Sequence, residues 1–170
     1  ATKIGDKTIS YVSNASFVGI DSFTYTVSDG QGGTGTATVR VEVRAAPNLN
    51  PVITALQSSA NSEATVKPGE TMTITGMFTD NEVLNAHSVK IEWGDGTETI
   101  LPAGDSRINI ATGTFTVSHQ FAGGGIFVVQ ATVRDSKGGS AVRTTGAFVQ
   151  GVRLTAAGEW QIVGTQGKDQ

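Results

Sequence analysis

Apolar and polar residues alternate with a period of two along most of the chain. Between Thr8 and Val43 the pattern is strong: Phe23, Tyr25 and Val27 fall on one side, Thr24, Thr26 and Ser28 on the other. After Asp29-Gly30-Gln31-Gly32-Gly33 the alternation resumes, with Val39, Val41 and Val43 sharing the inward side. This spacing predicts a β-hairpin. Its polar second side implies a sheet packed on one face only, and a hairpin with one preceding strand lacks the partners it needs to be stable alone. Residues 1–46 therefore read as the last third of a sandwich whose opening strands lie upstream.

Residues 47–51, Pro47-Asn48-Leu49-Asn50-Pro51, form a short linker whose prolines hold it extended. Residues 52–150 read as a complete domain. Its expected strands are Val52–Leu56, Thr71–Phe78, Val89–Trp93, Glu98–Leu101, Thr114–Phe121, Ile126–Arg134 and Ala141–Val149. Turn signals separate them, among them Lys67-Pro68-Gly69-Glu70, Gly94-Asp95-Gly96, Gly123-Gly124-Gly125 and Asp135-Ser136-Lys137-Gly138-Gly139. About seven short strands with regular turns predict an all-β fold, an immunoglobulin-like β-sandwich. Residues 151–170 are left as the start of a following module or a linker. The phrase "TVRDSKGGS" at Thr132–Ser140 nearly repeats "TVSDGQGGT" at Thr26–Thr34, about one domain length earlier. The two read as the final hairpins of consecutive sandwiches.

Composition sharpens this picture. Charged residues make up only 16% and glycines number 22, which suits turn-rich strands better than helices. A net charge of −3 without a basic cluster argues against nucleic acid or an anionic membrane as partner. No apolar run approaches a membrane span, and no signal-peptide layout is present, so an exported chain would be an excerpt of something longer. Without cysteines there are no disulfides and no thiolate metal sites.

Two stretches carry a family resemblance. "IEWGDGTETI" followed by "HQFAGGGIFVVQATVRDSKGG" resembles the PKD (polycystic kidney disease) family, with its phrases W-D-F-G-D-G and H-x-Y-x-x-x-G-x-Y-x-V-x-L-T-V-x-D-x-x-G. His119, Phe121, Gly125, Phe127, Val129, Ala131, Thr132, Val133, Asp135 and Gly138 meet the second phrase at full spacing, with phenylalanines for tyrosines and Ala131 for leucine. "YVSNASFVGIDSFTYTVSDGQGG" resembles the C-terminal part of bacterial cadherin-like or VCBS-type Ig-like repeats, Val12-Ser13 replacing Thr-Pro. The tail Gly164–Gln170 resembles the opening of a calcium-binding nonapeptide repeat, a unit that stabilises itself only by stacking on further copies.

In an immunoglobulin-like sandwich Asn50, Asp80-Asn81-Glu82 and Asp135 meet at the pole that faces the linker. Oxygens gathered from three loops suit Ca²⁺, which takes six to eight of them, and the PKD resemblance implies calcium near this pole in some secreted bacterial enzymes. Asn50, Asp80 and Asp135 are the candidate ligands. A second reading stands beside it, in which Asp135 caps its own turn by accepting backbone N–H groups; Asp29 carries the same two readings. Trp93 shares the parity of Val89 and Ile91 and reads as core, so Trp160 is the freer aromatic for a surface contact. His119 and His87 stand in no zinc motif, and His119 reads as a strand residue bonding across a sandwich edge. Glu92, Asp95 and Glu98 cluster at one turn without a pocket to shift their pKa values. Gly30–Gly35 fits G-x-G-x-x-G but leads into a strand, so phosphate finds no helix N-terminus. Asn14-Ala15-Ser16 is a glycosylation sequon only in a eukaryotic secretory host.

The expectation is a non-enzymatic spacer, stalk or adhesive arm of a large, repetitive bacterial extracellular or cell-surface protein, calcium-stiffened, with neighbouring Ig-like modules as its partners. The alternative is an accessory module of a secreted hydrolase that grips a surface glycan or a protein through exposed aromatics.

Overall fold

The computed structural model describes residues 1–3, 8–81 and 87–164, and their regular structure is all strand. Two compact units form, Ala1–Pro47 and Asn48–Gln170. In the first, β1 (Thr2–Lys3) pairs with β2 (Ile9–Ser10), and β3 (Gly19–Ser28) pairs with β4 (Thr34–Val43) in the expected hairpin. The register sets Phe23 opposite Val39, Tyr25 opposite Ala37 and Val27 opposite Gly35, so one face collects the apolar side chains. Phe23, Val39, Val41 and Val43 are half-buried, whereas Tyr25 and Val27 stay exposed. Tyr11 stacks on Phe23 with ring centroids 6.1 Å apart, and its hydroxyl donates to Asp21 Oδ2 at 3.0 Å.

The second unit contains β5 (Val52–Ser58), β6 (Thr71–Thr79), β7 (Ser88–Glu92), β8 (Glu98–Leu101), β9 (Ile108–Asn109), β10 (Thr114–Gln120), β11 (Gly125–Arg134), β12 (Ser140–Val149), β13 (Gly151–Leu154) and β14 (Trp160–Val163). Each expected strand is present, its ends within a residue or two of the expected ones. Two antiparallel sheets are ordered β5-β6-β10-β9 and β12-β11-β7-β8, the partition of an immunoglobulin-like sandwich. Beyond β5 the chain crosses to the other sheet: the Val66 N–H donates to Phe148 O at 3.2 Å, and Val66 O accepts from the Gln150 N–H at 2.8 Å. A bulge interrupts β5 at Ile53–Ala55. Arg143 of β12 reaches across the sheets there, donating to Ile53 O at 3.0 Å and Thr54 O at 2.8 Å.

The core lies between the sheets. Met72, Ile74, Phe115 and Val117 come from one, and Val89, Ile91, Val129, Ala131, Val133 and Val149 from the other. Each set keeps a period of two, which is why the alternation was legible. Gly76 faces Phe115 across the pair, and the aromatic ring fills the space a Cβ would need. Trp93 is 1% exposed and donates Nε1–H to Thr99 Oγ1 at 2.9 Å. It is core, as its parity predicts.

Candidate functional site

Strand pairing sets the pole geometry. Val52 opposes Thr79, while Arg134 opposes both Ser88 and Ser140. The start of β5, the end of β6, the start of β7 and the β11–β12 turn therefore share one pole. Its polar groups tie the sheets together. Asp80, just past β6, meets His87, just before β7, with Oδ2 and Nε2 3.0 Å apart and both side chains almost fully buried. The His87 ring tilts against Phe78 at 4.9 Å, and its Nδ1 is buried without a hydrogen-bond partner.

Asp135 organises the β11–β12 turn. Its Oδ1 accepts the N–H groups of Lys137 at 2.7 Å and Gly139 at 2.9 Å, and its own N–H donates to Gly139 O at 3.1 Å. Asp29 does the same in the β3–β4 turn: Oδ1 accepts from Gln31 at 2.8 Å and Gly33 at 2.9 Å, and the Asp29 N–H donates to Gly33 O at 3.1 Å. The repeated phrase thus encodes one repeated turn, an Asp side chain substituting for a backbone turn. It also explains the final glycine. A Cβ on Gly33 or Gly139 would collide with the capping carboxylate.

Asp135 differs from Asp29 in being buried and in having a second partner: Oδ2 accepts from Asn48 Nδ2 at 3.1 Å. Asn50 joins them, since a Cβ built on Gly139 would lie 3.0 Å from Asn48 Nδ2 and 3.1 Å from Asn50 Oδ1. Of the expected ligands, Asn50 and Asp135 are thus gathered around Gly139. Asp80 stands at the same pole with His87 as its partner, and Glu82 and the tail beyond Gly164 lie outside the described residues. Sequence reasoning missed Asn48, which it assigned to the linker. Its Oδ1 is buried without a hydrogen-bond partner, a state that costs free energy unless a donor or a cation meets the oxygen. Turning the amide over would present that oxygen beside the Asp135 carboxylate, a donor set of hard oxygens that fits Ca²⁺. Among the described residues no three His, Cys, Asp or Glu side chains converge as a metal site, so any cation here depends on amide and carbonyl oxygens.

Burial pushes the Asp135 carboxyl up, but the Asn48 amide and the N–H groups of Lys137, Gly139 and Gly138 outweigh it and hold the group below its ordinary 3.8. Asp95 follows the same balance, burial opposed by the Thr97 hydroxyl, the His119 ring and the Thr97 N–H. A carboxyl depressed on folding contributes stability that is complete above the unfolded value near 3.9 and disappears as pH falls through the folded value. The melting temperature should accordingly drop below about pH 4. In Asp135→Asn the acid limb should be shallower, because that group no longer titrates; a limb as steep as the wild type's would refute its part in the linkage.

At the opposite pole His119 of β10 meets Asp95 of the β7–β8 turn, Nε2 to Oδ2 at 2.8 Å. Asp95 Oδ1 also accepts from the Thr97 N–H at 2.9 Å and hydroxyl at 2.6 Å. His119 stacks on Trp93 at 4.4 Å and meets Phe121 edge-on at 4.7 Å, and Phe121 stacks on Phe127 at 4.2 Å. Each histidine of the chain therefore joins the two sheets through an aspartate, one at each pole. Glu92 and Glu98 share Lys90, at 3.1 and 2.8 Å. The carboxylates grouped in the sequence thus make structural bonds.

Two sheets of this partition, closed by Asp-capped hairpin turns, define an immunoglobulin-like sandwich module. The model of the PKD domain family matches residues 48–149, and the chain belongs to that family, one of non-catalytic modules. The model described as bacterial Ig domain matches residues 1–42. The sandwich is similar to the PKD domain of an M14-like peptidase from a Thermoplasmatales archaeon, with 24% identity and a TM-score of 0.49 over 61% of this chain and 98% of that one. It is also similar to the PKD1 domain of the Vibrio cholerae metalloprotease PrtV, with 16% identity and a TM-score of 0.42 over 59% and 98%. A third likeness is the PKD1 domain of Vibrio anguillarum Epp, at 19% and 0.41 over 61% and 99%. No curated protein matches the chain.

Proposed function

We propose that the chain is a run of tandem, non-catalytic sandwich modules from a large repetitive bacterial protein that works outside the cell or at its surface. Its task is to hold length and orientation between flanking modules. The observation that carries this reading is the Asp-capped final hairpin turn, built twice with matching bonds in successive units on either side of a Pro-bounded segment. Ca²⁺ extends the reading: held by Asp135, Asn50 and Asn48, with Asp80 engaged by His87 at the same pole, it would pin the Asn48–Pro51 segment where the chain enters the sandwich. The buried, partnerless Asn48 Oδ1 supports this.

A second reading, the glycan- or protein-binding accessory module of a secreted hydrolase, draws on Trp160, which is 68% exposed. Retention on insoluble cellulose, chitin and collagen separates the two. A spacer passes through all three. Retention that Trp160→Ala abolishes would replace the spacer reading with the binding module.

A further inference from the structure

Hairpin β13–β14, which follows the span matched by the PKD model, sits on the sandwich with its polar face inward. Its register pairs Val152 with Ile162 and Leu154 with Trp160, so these four apolar side chains share one face, while Arg153 and Gln161 share the other. The polar face is the docked one. The Arg153 guanidinium lies over the Phe127 ring at 4.4 Å, Gln161 Oε1 accepts the Ile126 N–H at 3.2 Å, and Val163 beside them is buried. The apolar face is left open, with Val152 57%, Leu154 53%, Trp160 68% and Ile162 75% exposed.

A half-packed ribbon ordinarily buries its apolar side, so the inversion asks for a second surface. The open face presents on the order of 500 Å² of apolar area, in the range of the largest patches on monomeric proteins, which are often functional. It carries no charge, because Arg153 is engaged with Phe127 on the other side. A sugar would need hydrogen-bonding groups beside the indole, and Val152, Leu154 and Ile162 offer none. What the face fits is a copy of itself. Paired about a two-fold axis, two such faces would set the bulky Leu154–Trp160 pair of each hairpin over the smaller Val152–Ile162 pair of the other, an isologous sheet-on-sheet contact. Two such faces together bury about 1,000 Å², the lower bound for a specific interface.

We propose that the outward face of β13–β14 is where two copies of this chain pair reversibly. Sedimentation equilibrium of the full chain from about 1 µM to about 1 mM brackets the affinity such an area supports. The expected result is a concentration-dependent shift from monomer to dimer. Ile162→Lys should raise the dissociation constant about thirtyfold or more, the scale of a central interface residue, while Ile162→Val should leave it nearly unchanged. Acrylamide quenching of the wild type gives a readout independent of any variant's folding. Trp93 is shielded throughout, so emission should become less quenchable as concentration rises and Trp160 is covered. A wild type that stays monomeric at every concentration, with quenching unchanged, overturns the proposal and leaves the face to a different partner. So does an Ile162→Lys chain that pairs as tightly as the wild type.

Discussion

Trp93→Ala should cost the sandwich about 3–5 kcal/mol, the range for removing a fully buried large aromatic. The indole, just past the end of β7, stands in the aromatic stack that links the sheets, against His119 at 4.4 Å. Its loss leaves a void there, an unpartnered Thr99 hydroxyl, and an imidazole that keeps Asp95 but loses its platform. Native domains hold a margin of only about 5–15 kcal/mol, so much of the second unit's stability should go with this one side chain. Urea unfolding followed by far-UV circular dichroism measures the loss as a lower midpoint at unchanged slope. Trp160→Ala is the matching control: at about 1 µM, the dilute end of the proposed pairing range, removing an indole that is 68% exposed should change stability by less than about 0.5 kcal/mol. Similar losses in the two variants would contradict the assignment of one tryptophan to the core and the other to the surface.

Adding about 10 mM CaCl₂ in place of EDTA, a hundredfold excess for a site at the tight end of the extracellular range, should raise the melting temperature by about ten degrees or more. Extracellular sites bind at about 10⁻⁴–10⁻³ M, and a hundredfold excess of ligand over its dissociation constant stabilises by about 2.7 kcal/mol. For a domain near 100 residues each kcal/mol is worth about 4–8 °C. Asp135→Ala should abolish the gain, because it removes the carboxylate around which Asn48 and Asn50 gather. Asn48→Ala separates the calcium proposal from the simple turn cap. It leaves the Lys137 and Gly139 bonds to Asp135 intact, yet should reduce the calcium gain because the partnerless oxygen is gone. Equal melting temperatures in CaCl₂ and EDTA would leave Asp135 as a cap alone and remove calcium from the proposed function.

Both predictions concern groups whose roles were unequally legible in the sequence. Trp93 could be assigned from parity with Val89 and Ile91, because a strand sorts its side chains to alternate faces wherever it sits. The Asp135 cap was legible for a similar reason, since an Asp accepting N–H groups two and four residues on is a local event. Asn48 was not. It bonds to Asp135, 87 residues away, and its orphaned oxygen exists only because the fold closes over it. The Asp80–His87 pair was equally hidden, each residue noted on its own grounds and neither pointing to the other. The short strand β9 left no periodic signal, having only Ile108 buried between turns.

Hairpin β13–β14 marks the boundary most clearly. Val152 and Leu154, Trp160 and Ile162 alternate as well as any pair in the core, and Gly158 takes the positive φ of 81° that the turn between them uses. A period of two states that two faces differ; it does not state which face finds a partner. By itself, then, the sequence determined the longer strands up to Val149, the turns between them, the sandwich and the repetition of its final hairpin, all consequences of backbone geometry over a few residues. Only the tertiary structure decided that Asn48 joins Asp135, that each histidine clasps an aspartate across the sheets, and that the last hairpin turns its apolar side outward. Those depend on which surfaces meet, and that is settled by packing between segments far apart in the chain, here by an Arg153 that lies over Phe127 and leaves four apolar side chains facing water.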